Sequence, residues 1–181
     1  MRLDLTDTMA LIVDYQEKLM PAVKDEAEII KNTEKLVRGL QVLKVPILVS
    51  QQYTKGLGMT VPFIRNLFDE PFSYYDKISF SCYQDKDIRD KIEESGRKTI
   101  VVSGAETHIC VLQTVIDLAD AGYRVVFVEN CSGSRKEEDS LAASGRMRRE
   151  GAVIATYESL LFELLERAEG DRFKQIQAII K

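Results

Sequence analysis

Short apolar runs alternate with longer amphipathic stretches along the whole chain, and this alternation leaves few folds open. Residues 9–14, 46–50, 72–77, 99–104, 124–128 and 152–155 have strand length and composition, with 72–77 the weakest. Between them, 26–43 places Ile29, Thr33, Leu36, Val37, Leu40 and Leu43 on one stripe at three-four spacing. Residues 84–95 form a charged helix that turns Ile88 and Ile92 inward, and 171–181 repeats the pattern with Phe173, Ile176, Ile179 and Ile180. Residues 136–150 follow Ser134-x-x-Glu137, the spacing of a capping box. Strand–helix–strand repetition at these lengths requires right-handed crossovers. It predicts an α/β fold with a doubly wound, mostly parallel sheet. With no linker, repeat or low-complexity run, residues 1–181 read as a single domain.

Composition narrows the partners. A hydrophobic fraction of 45% and a charged fraction of 30% suit a soluble globular protein. A formal net charge of −4 argues against a nucleic-acid partner or an anionic membrane surface. No apolar stretch approaches the roughly 18 residues that span a bilayer. Asp4 and Asp7 stand where a leader would be basic. Cys82, Cys110 and Cys131 form no paired framework, and His108 is the only histidine. The expectation is a reduced cytoplasmic protein that needs no metal and no cofactor.

In open parallel sheets, ligands bind beyond the carboxyl ends of the strands. The first strand delivers Asp14 and then Gln16, and an aspartate there either caps a turn or does acid–base work. The third delivers Lys77, either solvated or catalytic. The fourth ends at Gly104 and leads through Ala105-Glu106-Thr107-His108-Ile109 to Cys110. Cys110 is either a small core residue or a thiol at a helix N-terminus, where the dipole favours thiolate. Lys77 would add to that effect and Asp14 would oppose it; the balance predicts a thiol pKa below the roughly 8.5 of free cysteine. Asp14, Lys77 and Cys110 at three strand ends can converge on one pocket. His108 and Cys110 point in different directions from a helix start, which disfavours a dyad.

Several alternatives are disfavoured by what is missing. No G-x-G-x-x-G follows the first strand, and there is no phosphate loop and no G-x-S-x-G elbow. The helix over 109–121 carries apolar residues around most of its circumference, from Ile109, Leu112 and Ile116 to Val111, Val115 and Leu118. A second subunit or neighbouring helices would bury it. The first option suggests a homo-oligomer built from dimers.

Three segments, in order, carry a resemblance to a known family: Val13-Asp14-x-Gln16, Lys77 before Ser79-Phe80-Ser81, and Gly104 to Val111 with Thr114. The chain resembles the isochorismatase-like cysteine hydrolases, from about Leu5 to Lys181. It looks closest to the short isochorismatase-domain-containing proteins, through Gln52-Tyr53-x-x-Gly56-Leu57-Gly58-x-Thr60-Val61-Pro62, Gly145-Arg146-Met147-Arg148 and Phe173-Lys174-x-Ile176-Gln177. The resemblance implies a six-stranded parallel sheet flanked by helices in a three-layer sandwich, and an Asp14–Lys77–Cys110 triad. It also implies a cis peptide at Ala105–Glu106 and an oxyanion hole from the backbone N–H groups of Glu106 and Cys110. Gln16 and Tyr53 are candidate substrate contacts. Metal-dependent nicotinamidases of this superfamily carry histidines beyond the second strand, where this chain has Gln51, Gln52 and Tyr53. Isochorismatases proper lack the cysteine. The implied activity is cleavage of a small amide-type C–N bond through a thioester on Cys110. The rivals are ether hydrolysis led by Asp14, or a pocket that binds without turnover.

Overall fold

The structure is a computed structural model and describes residues 2–181. Six strands form one sheet: β1 (Thr8–Val13), β2 (Ile47–Gln52), β3 (Tyr75–Lys77), β4 (Thr99–Gly104), β5 (Arg124–Val128) and β6 (Val153–Ala155). All pairings are parallel, in the order β3-β2-β1-β4-β5-β6. The helices are α1 (Glu26–Val42), the short α2 (Thr54–Leu57) and α3 (Pro62–Arg65), α4 (Lys86–Glu94), α5 (Leu112–Asp120), α6 (Glu137–Arg149), α7 (Tyr157–Leu165) and α8 (Gly170–Ile180).

The alternating side chains of β1 explain the three layers. Met9, Leu11 and Val13 join the core beneath α4, α5 and α6, with Ile88, Ile92, Val115, Leu118 and Met147. Ala10 and Ile12 point to the opposite face, where α1, α7 and α8 supply Leu36, Leu40, Leu161 and Ile176. Every residue of β1 is buried, as expected for a central strand covered on both faces.

Strand order reverses between β1 and β4, so the crevice at their carboxyl ends is the topological switch point. Register fixes what stands there. Val13 is level with Ser50 on one side and Gly104 on the other, and Gln52 is level with Lys77. Gly104 is obligatory for this approach: a Cβ built on it would lie 2.3 Å from the Val13 carbonyl oxygen.

The structure departs from the sequence pattern in four places. Only Tyr75–Lys77 of the run 72–77 is strand, because Phe72 turns away to pack between Phe68 and Tyr74. Helix α7 was not foreseen; Thr156 and Ser159 cap each other at its start, and Leu160, Leu161 and Leu164 bury its inner face. The capping box at Ser134 does not form, since α6 begins after Lys136 and the Ser134 hydroxyl pairs with His108. The helix over 109–121 divides into a π-turn, Thr107–Val111, and α5. Its Ile109, Leu112 and Ile116 are only half-buried in the single chain. Among the described residues, no helix is long and apolar enough to cross a membrane.

Candidate active site

Asp14 leaves β1 in the left-handed region, at φ 55°, which turns its carboxylate into the crevice. One oxygen, Oδ1, accepts from Ser50 Oγ at 2.7 Å. The other, Oδ2, accepts from Lys77 Nζ at 2.7 Å. Neither side chain of this ion pair has any exposed area. The ammonium also donates to Gln52 Oε1 (2.7 Å) and to the carbonyls of Phe80 (3.0 Å) and Ser79 (3.2 Å). Burial opposes the charge on Lys77, but Asp14 and the facing cysteine side chains more than offset it, so the ammonium titrates above the ordinary lysine range.

Cys110 sits in the π-turn, with 5% of its surface exposed. Its carbonyl accepts from Thr114 Oγ1 at 2.7 Å, and that hydroxyl receives the Cys82 backbone N–H at 2.9 Å. One buried threonine thus ties the segment after β3 to the turn that carries the thiol. Burial pushes the Cys110 thiol well above the free-cysteine range; the Asp14 carboxylate adds to this, both as an anion and as a hydrogen-bond acceptor, while Lys77 opposes it. The expected lowered thiol pKa is therefore corrected: desolvation, invisible in the local sequence, outweighs the helix terminus and the cation and shifts the thiol upward. Cys82 is pushed up to about 11 by burial and then by Asp14, and its thiol reaches Ser50 Oγ at 3.4 Å.

The Ala105–Glu106 peptide is cis. The i→i+5 bonds of the π-turn begin with Val111 N–H to Glu106 C=O, at 3.3 Å, so the Cys110 N–H precedes that ladder. The Glu106 N–H has no acceptor among the described residues. The Glu106 carboxylate is anchored away from it, taking both the backbone N–H (3.2 Å) and Nε (2.9 Å) of Arg135. His108 does not serve Cys110; its Nδ1 is 2.9 Å from Ser134 Oγ.

Gln16 and Tyr53 fare differently. The Gln16 amide is buried and fully engaged with backbone, donating to Gln52 C=O (3.0 Å) and Gly58 C=O (2.8 Å) and accepting from Gln52 N–H (2.7 Å). That geometry assigns it to holding the 52–58 loop, in place of the substrate contact expected from the sequence. Tyr53 is half-exposed, and its N–H bonds the Lys77 carbonyl at 2.9 Å. Ile78 and Phe80, which follow Lys77 in the chain, are both exposed. Sequence reasoning gave no role to Ser50 or Gln52, and none to Thr114 beyond its place in the motif that carries the resemblance. Their signal was a polar side chain at or near a strand end and on the inner side of a helix, which local pattern alone does not distinguish from surface. Among the described residues, no group of three metal-ligating side chains comes together.

Comparison with known proteins gives the family and the fold. The family model for the isochorismatase domain matches residues 8–159. Isochorismatase domain-containing protein 1 of Salmo salar is 36% identical over 174 residues, covering 96% of this chain and 61% of its own length, so this chain spans about three fifths of that relative. A solved structure titled MAR1 ribonuclease, from Caenorhabditis elegans, superposes with a TM-score of 0.92 at 31% identity, covering 99% of this chain and 92% of its own. YcaC from Pseudomonas aeruginosa, solved with hexane-2,5-diol and covalent acrylamide, does so with a TM-score of 0.92 at 25% identity, covering 99% and 90%. With five sixths of its length inside the family model and relatives above 30% identity across nearly all of it, the chain belongs to the isochorismatase family.

Proposed function

We propose that this protein is a cysteine hydrolase that cleaves a small, non-peptide amide-type C–N bond through a thioester on Cys110. The observation that carries this reading is the solvent-free Asp14–Lys77 pair at the switch point, acting on the Cys110 thiol. A protonated thiol beside an ionised carboxylate needs no preformed thiolate. Asp14 takes the proton as Sγ attacks the substrate carbonyl, and Lys77 stabilises the carboxylate as base and restrains its position. The negative charge that develops on the carbonyl oxygen falls to the Glu106 and Cys110 N–H groups, a contribution of about 3–4 kcal/mol per donor. The proton on Asp14 passes to the leaving nitrogen as the C–N bond breaks. Water, deprotonated by Asp14, then attacks the thioester, and the thiol is restored with release of the acid.

Tyr53, Ile78 and Phe80 are exposed apolar side chains on the chain segments next to Lys77. The neighbour titled a ribonuclease raises RNA as a substrate, but the net charge of −4 and the burial of the reacting groups favour a small neutral amide. The covalent acrylamide on the Pseudomonas neighbour is consistent with a reactive nucleophile in this fold. The reading needs no cofactor, treats residues 1–181 as one catalytic unit, and fits a cytoplasmic setting.

The test is a screen of small amides, ureides and activated esters against wild type and Cys110→Ala, with intact-mass detection of an acyl adduct. Turnover lost in Cys110→Ala, with an adduct on the wild type, is the expected result. Activity that survives Cys110→Ala would favour non-covalent ether-type hydrolysis led by Asp14. No adduct with any probe would favour a binding role.

A further inference from the structure

The segment that follows β3 ends on a thiol that the proposed reaction does not use. Cys82 opens the short turn Cys82–Gln84 and has no exposed surface. A buried free cysteine is most often a small apolar residue, and Ile88, Ile92 and Val115 share its core cluster. Its polar contacts set Cys82 apart from that role.

Two buried hydroxyls connect Cys82 to the base and to the nucleophile. Its backbone N–H donates to Thr114 Oγ1 at 2.9 Å, and that hydroxyl donates to the Cys110 carbonyl at 2.7 Å. Its thiol lies 3.4 Å from Ser50 Oγ, and that hydroxyl donates to Asp14 Oδ1 at 2.7 Å. Asp14, Ser50, Cys82 and Thr114 are all fully buried, so bulk solvent does not compete for these bonds.

The supply of protons fixes the direction of the second chain. The Asp14 carboxylate, paired with the Lys77 ammonium, can only accept. Ser50 has a single hydroxyl proton, so that proton goes to Oδ1 and a lone pair is left for Cys82. The thiol keeps its own proton at neutral pH, because burial first and Asp14 second push it up to about 11. Cys82 is therefore the donor to Ser50. A thiol donates weakly, but in a water-free chain each bond polarises the next. Lys77 holds Oδ2 of the same carboxylate, so Cys82 bears on the other oxygen.

We propose that Cys82 is a positioning residue of this site: through Ser50, its thiol holds Oδ1 of Asp14 in the orientation from which the base takes the Cys110 proton. The catalytic consequence rests on the hydrolase reading, whereas the hydrogen-bond chain stands without it. Packing and donation predict different behaviour in substituted proteins. Cys82→Ala and Cys82→Val keep an apolar side chain without a donor, and Cys82→Ser keeps a donor.

The test follows the side-chain carboxyl carbon signal of Asp14 by NMR in the full chain, together with kcat and KM on an amide from the screen. Cys82→Ala, Cys82→Val and Ser50→Ala should all move the Asp14 signal in one direction, and Cys82→Ser should return it toward the wild-type position. In the Ser50→Ala background, Cys82→Ala should add nothing. The two donorless variants should lose about three- to tenfold in kcat, the range of one neutral hydrogen bond, with KM within about twofold of wild type and recovery in Cys82→Ser. An Asp14 signal that ignores Cys82→Ala and Cys82→Val, that moves equally in Cys82→Ser, or that moves equally without Ser50 would overturn the proposal. So would unchanged kcat in both donorless variants. A signal that moves as expected in a protein that turns over no amide would uphold the hydrogen-bond chain and count against the hydrolase reading instead.

Discussion

Lys77 Nζ and Asp14 Oδ2 lie 2.7 Å apart with no exposed side-chain area on either residue. Each ion is held in place by its partner and by further hydrogen bonds, from Ser50 to Asp14 and from Lys77 to Gln52, Ser79 and Phe80. Such a pair contributes little net stability compared with a well-packed apolar pair, but removing one member leaves an uncompensated buried charge. Asp14→Asn or Lys77→Met alone should therefore destabilise the fold by about 3–5 kcal/mol. The double variant should cost clearly less than the sum of the two. Urea unfolding of the three variants measures this, and strict additivity would show that the two residues do not act as a pair.

Stability should also fall in alkali. The folded pKa of Cys82 is raised from 9.0 to about 11, so the protonated thiol favours the folded state. Its contribution is fully present below pH 9 and is lost as pH rises to about 11. Lys77, also raised, acts in the same sense at higher pH, because the ammonium is the form the fold prefers. Urea midpoints measured from pH 7 to 11 should decline through this window, and Cys82→Ala should flatten the first part of the decline. A midpoint that holds steady to pH 11 would contradict the assignment for Cys82.

Ser50 and Gly104 set the position of Asp14 from its two sides. Ser50→Ala removes the 2.7 Å bond to Oδ1 and leaves one carboxylate oxygen without that donor. The expected loss is about 1–3 kcal/mol of stability, together with at least a tenfold fall in kcat/KM on whichever amide the screen identifies. Gly104→Ala drives a methyl against the Val13 carbonyl and should separate β4 from β1. It should destabilise by about 1–3 kcal/mol or more and abolish turnover. Wild-type thermal stability in Gly104→Ala would refute the close-approach argument.

Asp14, Lys77 and Gly104, on which the proposed chemistry depends, were legible because each closes a candidate strand run. A run that ends in Asp14, Lys77 or Gly104 marks the carboxyl edge of a parallel sheet, and the switch-point rule indicates which edge to search. The parts that were not legible depend on distant chain segments. Nothing local reveals that Ser50 faces Asp14 across a strand pairing, or that Thr114 ties Cys82 to Cys110. Gln16 reads as a pocket residue until the 52–58 loop is seen to take up its whole amide. Helix α7 was missed although Thr156 and Ser159 stand at its start, because Leu160, Leu161 and Leu164 follow the last strand in a short run.

Association is expected from what the single chain leaves open. Ile109, Leu112 and Ile116 are half-buried on one side of the π-turn and α5, although their pattern calls for deeper burial. Ile78 and Phe80 are exposed close to Lys77. Covering these residues with a second copy would bury apolar surface next to the active site. Light scattering at micromolar concentration should give a mass that is a multiple of 20.6 kDa. Replacing Ile109 and Ile116 with glutamate should shift it toward the monomer. A wild-type mass of 20.6 kDa would show that these residues remain uncovered.

The sharpest prediction concerns the order in which Asp14 and Cys110 hold their shared proton. Burial and the Asp14 charge raise the thiol pKa, and Lys77 lowers it. Alkylation by iodoacetamide requires the thiolate, so Cys110 in the wild type should react slowly at neutral pH and faster as pH rises. Asp14→Asn removes the anion and leaves Lys77 facing the thiol alone, which lowers the thiol pKa. Labelling of Cys110 at pH 7 should therefore rise at least tenfold in Asp14→Asn, and amide turnover should disappear because the base is gone. Lys77→Met should do the reverse to labelling and slow it below wild type. Peptide mapping by mass spectrometry, with Cys82 and Cys131 as internal references, reads both rates. A preformed thiolate in the wild type would instead give rapid labelling at pH 7 that Asp14→Asn does not increase, and that result would remove Asp14 from its role as the proton acceptor.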